Sequence, residues 1–183
     1  MNTGRLVYVI GPSGAGKDSV LQYLLRVCTP FAGAHLARRT ITRPANAGGE
    51  QHEAVAPIEF EVLQQAGAFA MTWHAHGLSY GIRHEELAPL HQGRWVFVNG
   101  SRAWLPHLQR GWPEAVVVCV EASDDVRSKR LQDRGREDSA AVMQRLTRVV
   151  DSTLPPGAVC IRNDGDLEDA VAALCLALQP LKT

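Results

Sequence analysis

Leu6-Val7-Tyr8-Val9-Ile10-Gly11-Pro12-Ser13-Gly14-Ala15-Gly16-Lys17-Asp18-Ser19 is the stretch on which the reading of this chain turns. The apolar run 6–10 has strand character and feeds a glycine-rich loop that closes on Gly16-Lys17. A helix follows: Val20, Leu21, Leu24, Leu25 and Val27 recur at helical spacing until Thr29-Pro30 ends the run. Strand, glycine loop, lysine and helix in that order form a phosphate-binding loop, whereas a glycine turn that only links two elements requires no lysine. Without Cβ atoms, successive backbone N–H groups can close around a di- or triphosphate, and the helix directs the positive end of its dipole at the same anion. Gly11, Pro12, Ser13, Gly14, Ala15, Gly16 and Lys17 are therefore the expected nucleotide cradle. One departure stands out: the residue after the lysine is ordinarily Ser or Thr, a magnesium ligand, but here it is Asp18, with Ser19 one position late.

A chain of 183 residues with 45% hydrophobic content can bury one sizeable core and suggests a single domain. Its 19 basic and 19 acidic side chains cancel, which argues against nucleic acid or a membrane surface as partner. The basic residues nevertheless cluster, as Arg38, Arg39 and Arg43 early and as Arg127, Lys129, Arg130, Arg134, Arg136, Arg145 and Arg148 late. Local cationic clusters on a neutral chain suit a small polyanionic ligand. Cys28, Cys119, Cys160 and Cys175 are too far apart for a Cys-x-x-Cys site and sit in apolar runs, so they read as buried free thiols. The five-residue apolar run near the N-terminus is too short for a secretory leader, and no stretch approaches membrane-spanning length. The expectation is a cytoplasmic protein, monomer or homodimer, acting on a small molecule.

Strand-length apolar runs recur at Leu6–Ile10, Trp95–Val98, Ala115–Val120 and Ala158–Ile161, alternating with helical patterns. Continuous apolar runs are covered on both faces, as in a parallel sheet, so the fold class is α/β. Ligands in such sheets bind beyond the carboxyl ends of the strands, where this loop lies. Two stretches break the alternation. Residues 40–57, rich in Gly, Ala and Pro, lead into a helix-like segment from Pro57 to Gln65 and a compact region through Gly81, long enough for an acceptor-binding subdomain. Residues 133–139 form a charged, glycine-containing joint between helical patterns at 123–132 and 139–151, which reads as a mobile arginine lid.

The loop, then Thr42-Arg43-Pro44, Gly49-Glu50, Tyr80-Gly81, Arg134-Gly135-Arg136 and Asn163-Asp164, come in the order and spacing of the guanylate kinase family, which the chain resembles over nearly its whole length. The resemblance implies a P-loop NTPase fold with a central parallel five-stranded sheet and helices on both faces. It also implies one domain over 1–183, with an acceptor insertion at about 36–92 and a lid at about 133–140. The chain departs from the family where guanine is read. The family glutamate before Trp looks like Thr72, the Thr or Ser after Tyr-Gly is Ile82, the strand-end aspartate looks like Asn99, and a family arginine is replaced near Asn46. Without those carboxylates a guanine site loses charge-assisted hydrogen bonds of about 1.5–3 kcal/mol each. The replacements form a pattern of their own. Gly16-Lys17-Asp18-Ser19, Arg43-Pro44-Ala45, Trp73 to Leu78, Tyr80-Gly81, Val98 to Ala103 and Arg134 to Glu137 resemble the ribose 1,5-bisphosphate phosphokinase family, a branch of the same fold associated with phosphonate breakdown.

That resemblance implies ATP-dependent phosphorylation of ribose 1,5-bisphosphate to 5-phosphoribosyl 1-diphosphate, with Mg2+. A nucleoside monophosphate kinase and a non-catalytic binding module are the alternatives. The nucleophile is a phosphate oxygen already anionic at pH 7, so no general base is required and positioning carries the catalysis. Lys17, Arg134, Arg136 and Arg145 are the expected catalytic cations. Asp18 and Ser19 are the expected magnesium ligands, Asp18 being otherwise a first-turn residue favoured by the helix dipole. Arg43 is the expected acceptor-phosphate ligand, with Arg38 and Arg39 behind it. Thr72, His74, Tyr80, Asn99 and Arg102 complete the expected acceptor set, Arg102 being alternatively a surface charge. His74 and His76, two apart, would share one face of a strand. Asn163 would lie near adenine by family analogy, with a plain helix cap at Asp164 or Asp166 as the alternative.

Overall fold

In a computed structural model, described over residues 4–45, 51–133 and 153–182, five parallel strands form the central sheet. They are β1 (Leu6–Ile10), β2 (His35–Leu36), β7 (Val96–Asn99), β8 (Val116–Glu121) and β9 (Val159–Arg162), in the order β2-β7-β1-β8-β9. β1 is fully buried, and its alternating side chains serve two cores. Val7 and Val9 pack with Val20, Leu21 and Leu24 of α1 (Lys17–Val27) and with Val171 and Leu174 of α6 (Leu167–Leu178). Leu6, Tyr8 and Ile10 pack with Leu105 and Leu108 of α4 (Leu105–Gly111) and with the second sheet. Helices thus cover both faces, as the sequence predicts. The strands β7, β8 and β9 each sit one residue later than their apolar runs. Apolar content marks burial, whereas the hydrogen-bond ladder sets the strand ends, and β7 extends that ladder to a polar residue, pairing Asn99 with Val9.

A second, four-stranded sheet is built by β3 (Arg39–Ile41), β4 (Glu53–Ala54), β5 (Phe69–Ala75) and β6 (Leu78–Arg83), in the order β4-β3-β6-β5. α2 (Pro57–Gln65) packs on it, stacking Phe60 on Phe69 with ring centroids 4.7 Å apart, and α3 (His84–Leu87) closes the segment. α5 (Asp124–Asp133) follows β8. Register decides which face each side chain takes. Arg39 pairs with Ile82, Ile41 with Tyr80 and Met71 with Ile82, so these five share the buried face, with Trp73 two residues beyond Met71. His35 on β2 and the backbone N–H of Arg38 both bond Glu86 of α3, at 2.6 and 2.9 Å, and tie this sheet to the central one.

The free-thiol expectation is corrected for one pair. Cys28 at the end of α1 and Cys175 on α6 are joined in a disulfide, because the two helices pack side by side on one sheet face. A separation of 147 residues hid this from any spacing argument. Cys119 is free and buried, as expected, whereas Cys160 is free but exposed, on the edge strand β9. Among the described residues no helix is long and apolar enough to cross a membrane. Arg134 and Arg136 of the expected lid, Arg145 and the helical pattern expected at 139–151, and Asn46 and Gly49-Glu50 lie outside the described residues.

Candidate active site

The phosphate loop leaves β1 at Gly11, where φ is 152° and a Cβ would overlap the Val120 carbonyl. Gly16, with φ 84°, is the N-cap of α1 and supplies no side-chain cap. The first N–H groups of α1 are thereby left for an anion. Lys17 reaches back over the loop and donates from Nζ to the carbonyls of Gly11 at 2.8 Å and Pro12 at 3.1 Å. A cradle that only glycine backbone fits, capped by an ammonium group, suits the phosphates of a nucleotide.

Three side chains hold this loop from behind. Asn163, buried at the end of β9, donates from Nδ2 to the Ala15 carbonyl at 2.8 Å. Arg130 donates to the Asn163 carbonyl at 2.9 Å. Arg127, buried on α5, donates to the Ser13 carbonyl at 2.9 Å and to Asp124 at 2.7 Å. Asn163 therefore supports the loop, and the late arginines 127 and 130 brace backbone. Sequence reasoning missed that role, since nothing local marks a contact 114 residues away. The backbone N–H of Ser123 and, further, Arg162 hold the Asp164 carboxyl below its usual range. Asp166 occupies the N-cap of α6 without a side-chain cap bond.

In front of the loop, Asp18 faces away from solvent-side Ser19. Its Oδ1 accepts from Asn99 Nδ2 and, at 3.4 Å, from Arg39 Nη2. Arg39 also donates to the Asn99 carbonyl at 3.3 Å and lies over the Tyr80 ring, 5.6 Å from its centroid. Tyr80 in turn stacks on Trp73 at 5.6 Å with an interplanar angle of 4°. Arg39 and Asn99 are 9% and 3% exposed, and Asn99 Oδ1 has no hydrogen-bond partner among the described residues. Tyr8 fixes the turn after Asn99, with its hydroxyl donating to the Ser101 carbonyl and accepting from the Ser101 N–H at 2.9 Å. Burial raises the Tyr8 hydroxyl far above its ordinary value, which keeps it a donor.

The other expected acceptor residues scatter, for physical reasons. Thr72 pairs with Gly81, one residue out of phase with Tyr80, so it occupies the opposite sheet face from Arg39 and Tyr80. His74 shares that outer face and bonds the Ser79 hydroxyl at 3.0 Å. His76 is beyond β5 in a tight turn, with φ 53°, so it does not share a strand face with His74; its Nε2 lies 3.4 Å from the Ser13 hydroxyl. Arg43 exchanges two bonds with His52: its guanidinium meets Nδ1 at 3.3 Å and its carbonyl meets Nε2 at 3.0 Å. A neutral imidazole protonated on Nε2 satisfies both. Arg102 is half-buried and donates from Nη2 to the Cys119 sulfur at 3.4 Å. Burial pushes that thiol up from its ordinary value. Among the described residues no three His, Cys, Asp or Glu side chains form a metal cluster.

The sequence model of the guanylate kinase family matches residues 3–180. A ribose 1,5-bisphosphate phosphokinase PhnN from Agrobacterium fabrum is 41% identical over 178 residues, covering 95% of this chain and 96% of the relative. A protein of the same name from Chromobacterium violaceum is 44% identical over 168 residues, covering 92% and 90%. The crystal structure of guanylate kinase from Anaplasma phagocytophilum superposes with a TM-score of 0.70 at 16% identity, covering 100% of this chain and 88% of that one, a likeness of fold.

Proposed function

We propose that this chain, which belongs to the guanylate kinase family and within it to the ribose 1,5-bisphosphate phosphokinases, transfers the γ-phosphoryl group of ATP to the 1-phosphate of ribose 1,5-bisphosphate, giving 5-phosphoribosyl 1-diphosphate and ADP. The observation that carries the reading is identity above 40% to enzymes of that name along almost the entire chain, loop and insertion together. The route is a step in phosphonate breakdown, in the cytoplasm. One P–O bond forms to an acceptor oxygen and the bond between the γ-phosphorus and the β,γ-bridging oxygen breaks, with no proton to remove from the acceptor.

The loop N–H groups and Lys17 hold and neutralise the donor phosphates; moving to them, Lys17 exchanges its two carbonyl partners for phosphate oxygens. Asn163, Arg127 and Arg130 keep the loop in shape. Arg134, Arg136 and Arg145 are proposed to neutralise charge on the transferring group. Arg43 and Tyr80 are proposed to hold the acceptor, Asn99 to accept from one of its hydroxyls. Magnesium is proposed to enter with the nucleotide substrate. Asp18 Oδ1 is engaged by Asn99 and Arg39, so the ion is proposed to arrive with the nucleotide and not to be held in advance by Asp18 and Ser19.

The test is ADP release measured with ribose 1,5-bisphosphate and with GMP side by side. Much higher kcat/KM for the sugar bisphosphate is expected. Equal or higher efficiency with GMP would refute the reading in favour of a guanylate kinase.

A further inference from the structure

We propose that Arg39 binds a phosphate of the acceptor and selects a sugar phosphate over a nucleobase, and that Asp18 is its positioning residue. The proposal rests on the reading above and names which of its residues set the acceptor class. Arg39 shares the inner face of the insertion sheet with Ile41, Met71, Trp73, Tyr80 and Ile82, all buried and otherwise apolar. A guanidinium on such a face is costly unless anions or acceptors compensate it. Two of its bonds, to the Asn99 carbonyl at 3.3 Å and to Asp18 at 3.4 Å, tie it to the end of β7 and to the start of α1, beside the phosphate loop. Beside it, the buried Oδ1 of Asn99 lacks a partner among the described residues, while Nδ2 of the same amide is committed to Asp18.

A forked cation next to an unpaired neutral acceptor complements a phosphate next to a hydroxyl, the chemistry of a phosphorylated sugar. A purine edge carries no anion for Arg39. Asp18 orders both partners at once: by accepting from Nδ2 it fixes the orientation of the Asn99 amide and so the position of Oδ1, and by accepting from Nη2 it restrains the guanidinium. Because Asp18 directly follows Lys17, the same helix turn places the donor cation and the acceptor cation in fixed register.

The experiment is steady-state kinetics in ribose 1,5-bisphosphate, ATP and magnesium, with calorimetric binding of each substrate and a melting curve for every variant. Arg39→Ala should raise the acceptor KM by about tenfold or more, the scale of one charge-assisted bond, with the ATP KM unchanged and Arg39→Lys recovering part. Asp18→Asn should raise the acceptor KM with no shift in the magnesium midpoint. Arg39→Ala combined with Asp18→Asn should be less than additive, since one acts through the other. Additive losses, an ATP KM that rises as much as the acceptor KM, or a shifted magnesium midpoint for Asp18→Asn would each overturn the proposal. A wild-type enzyme inert toward the bisphosphate would overturn the function itself, and is seen in a separate arm.

Discussion

Replacing Asn163 by Ala isolates the loop support from the chemistry. Asn163 is buried and its Nδ2 is the donor to the Ala15 carbonyl at 2.8 Å. Deleting it leaves a buried carbonyl unpaired, a cost of about 1–3 kcal/mol. An offset comes from the same side chain, because its Oδ1 is itself buried without a partner among the described residues and disappears with it. The net loss should therefore fall at the lower end, near 1 kcal/mol, which for a domain of this size lowers Tm by about 2–4 °C. The functional loss should be larger than the global one, because the freed segment is the loop that closes on phosphate. If ordering that loop takes about 1.4 kcal/mol from binding, the KM for ATP rises about tenfold while the acceptor KM stays put. Inorganic tripolyphosphate, which has no base, separates this from an adenine contact. Its binding, measured by calorimetry, should weaken as much as that of ATP. An Asn163→Ala variant that binds tripolyphosphate normally but loses its preference among nucleoside triphosphates would refute the loop-support argument.

Lys17→Ala should abolish nearly all phosphoryl transfer while leaving the melting temperature close to wild type, since Lys17 sits at the surface loop and its ammonium group bonds the loop carbonyls of Gly11 and Pro12; single-turnover rates check the first part and calorimetry the second. Arg43→Ala should weaken acceptor binding more than ATP binding, measured by separate titrations; His52→Gln, which keeps a single side of the paired contact, should do so in part. The third case is a pH effect. Burial alone would raise the Glu53 carboxyl, but bonds from Arg83 at 2.7 and 2.8 Å and from Thr40 at 2.6 Å outweigh it and hold it below the usual range. A lowered carboxyl stabilises fully above its unfolded value, about 4.3, and loses that contribution as pH falls through the folded one. The deficit in Tm of Arg83→Gln relative to wild type should accordingly be largest near neutral pH and shrink in acid; a deficit that grows in acid would contradict the sign.

The parts of the fold that were legible in the sequence are those written locally. The loop from Gly11 to Lys17 needs its glycines and its lysine in consecutive positions, and α1 announces itself by its spacing. β2 and β4 have two residues each, too short for any periodicity to mark. The placement of the expected acceptor residues is not legible for a different reason: residue type is visible in the sequence and sheet face is not. Arg38 and Arg39 are neighbours, yet Arg38 keeps 56% of its side chain exposed beside Glu86 whereas Arg39 is buried on the inner face. Thr72 and Tyr80 were grouped by motif, but the register puts them on opposite sides. A one-residue change of phase moves a side chain across a sheet, and a sequence without its pairing partners does not fix that phase.

The same blindness explains the reading of Asp18. A carboxylate set directly after the loop lysine should repel a triphosphate unless a cation stands between them, and from the sequence the natural cation to supply is magnesium. The fold supplies another. Arg39 arrives from β3, 21 residues on, with its guanidinium 3.4 Å from the carboxylate. Each charge makes the other tolerable: Asp18 compensates an arginine buried among aromatic rings, and Arg39 compensates an acid at a phosphate site. Changing either alone leaves an uncompensated charge near the reacting groups. On the proposed role of Arg39, the residue that looks like a defect in the donor loop serves the acceptor pocket. The departure at position 18 and the burial at position 39 are then one feature, and on that proposal charge placement separates this site from a nucleoside monophosphate pocket.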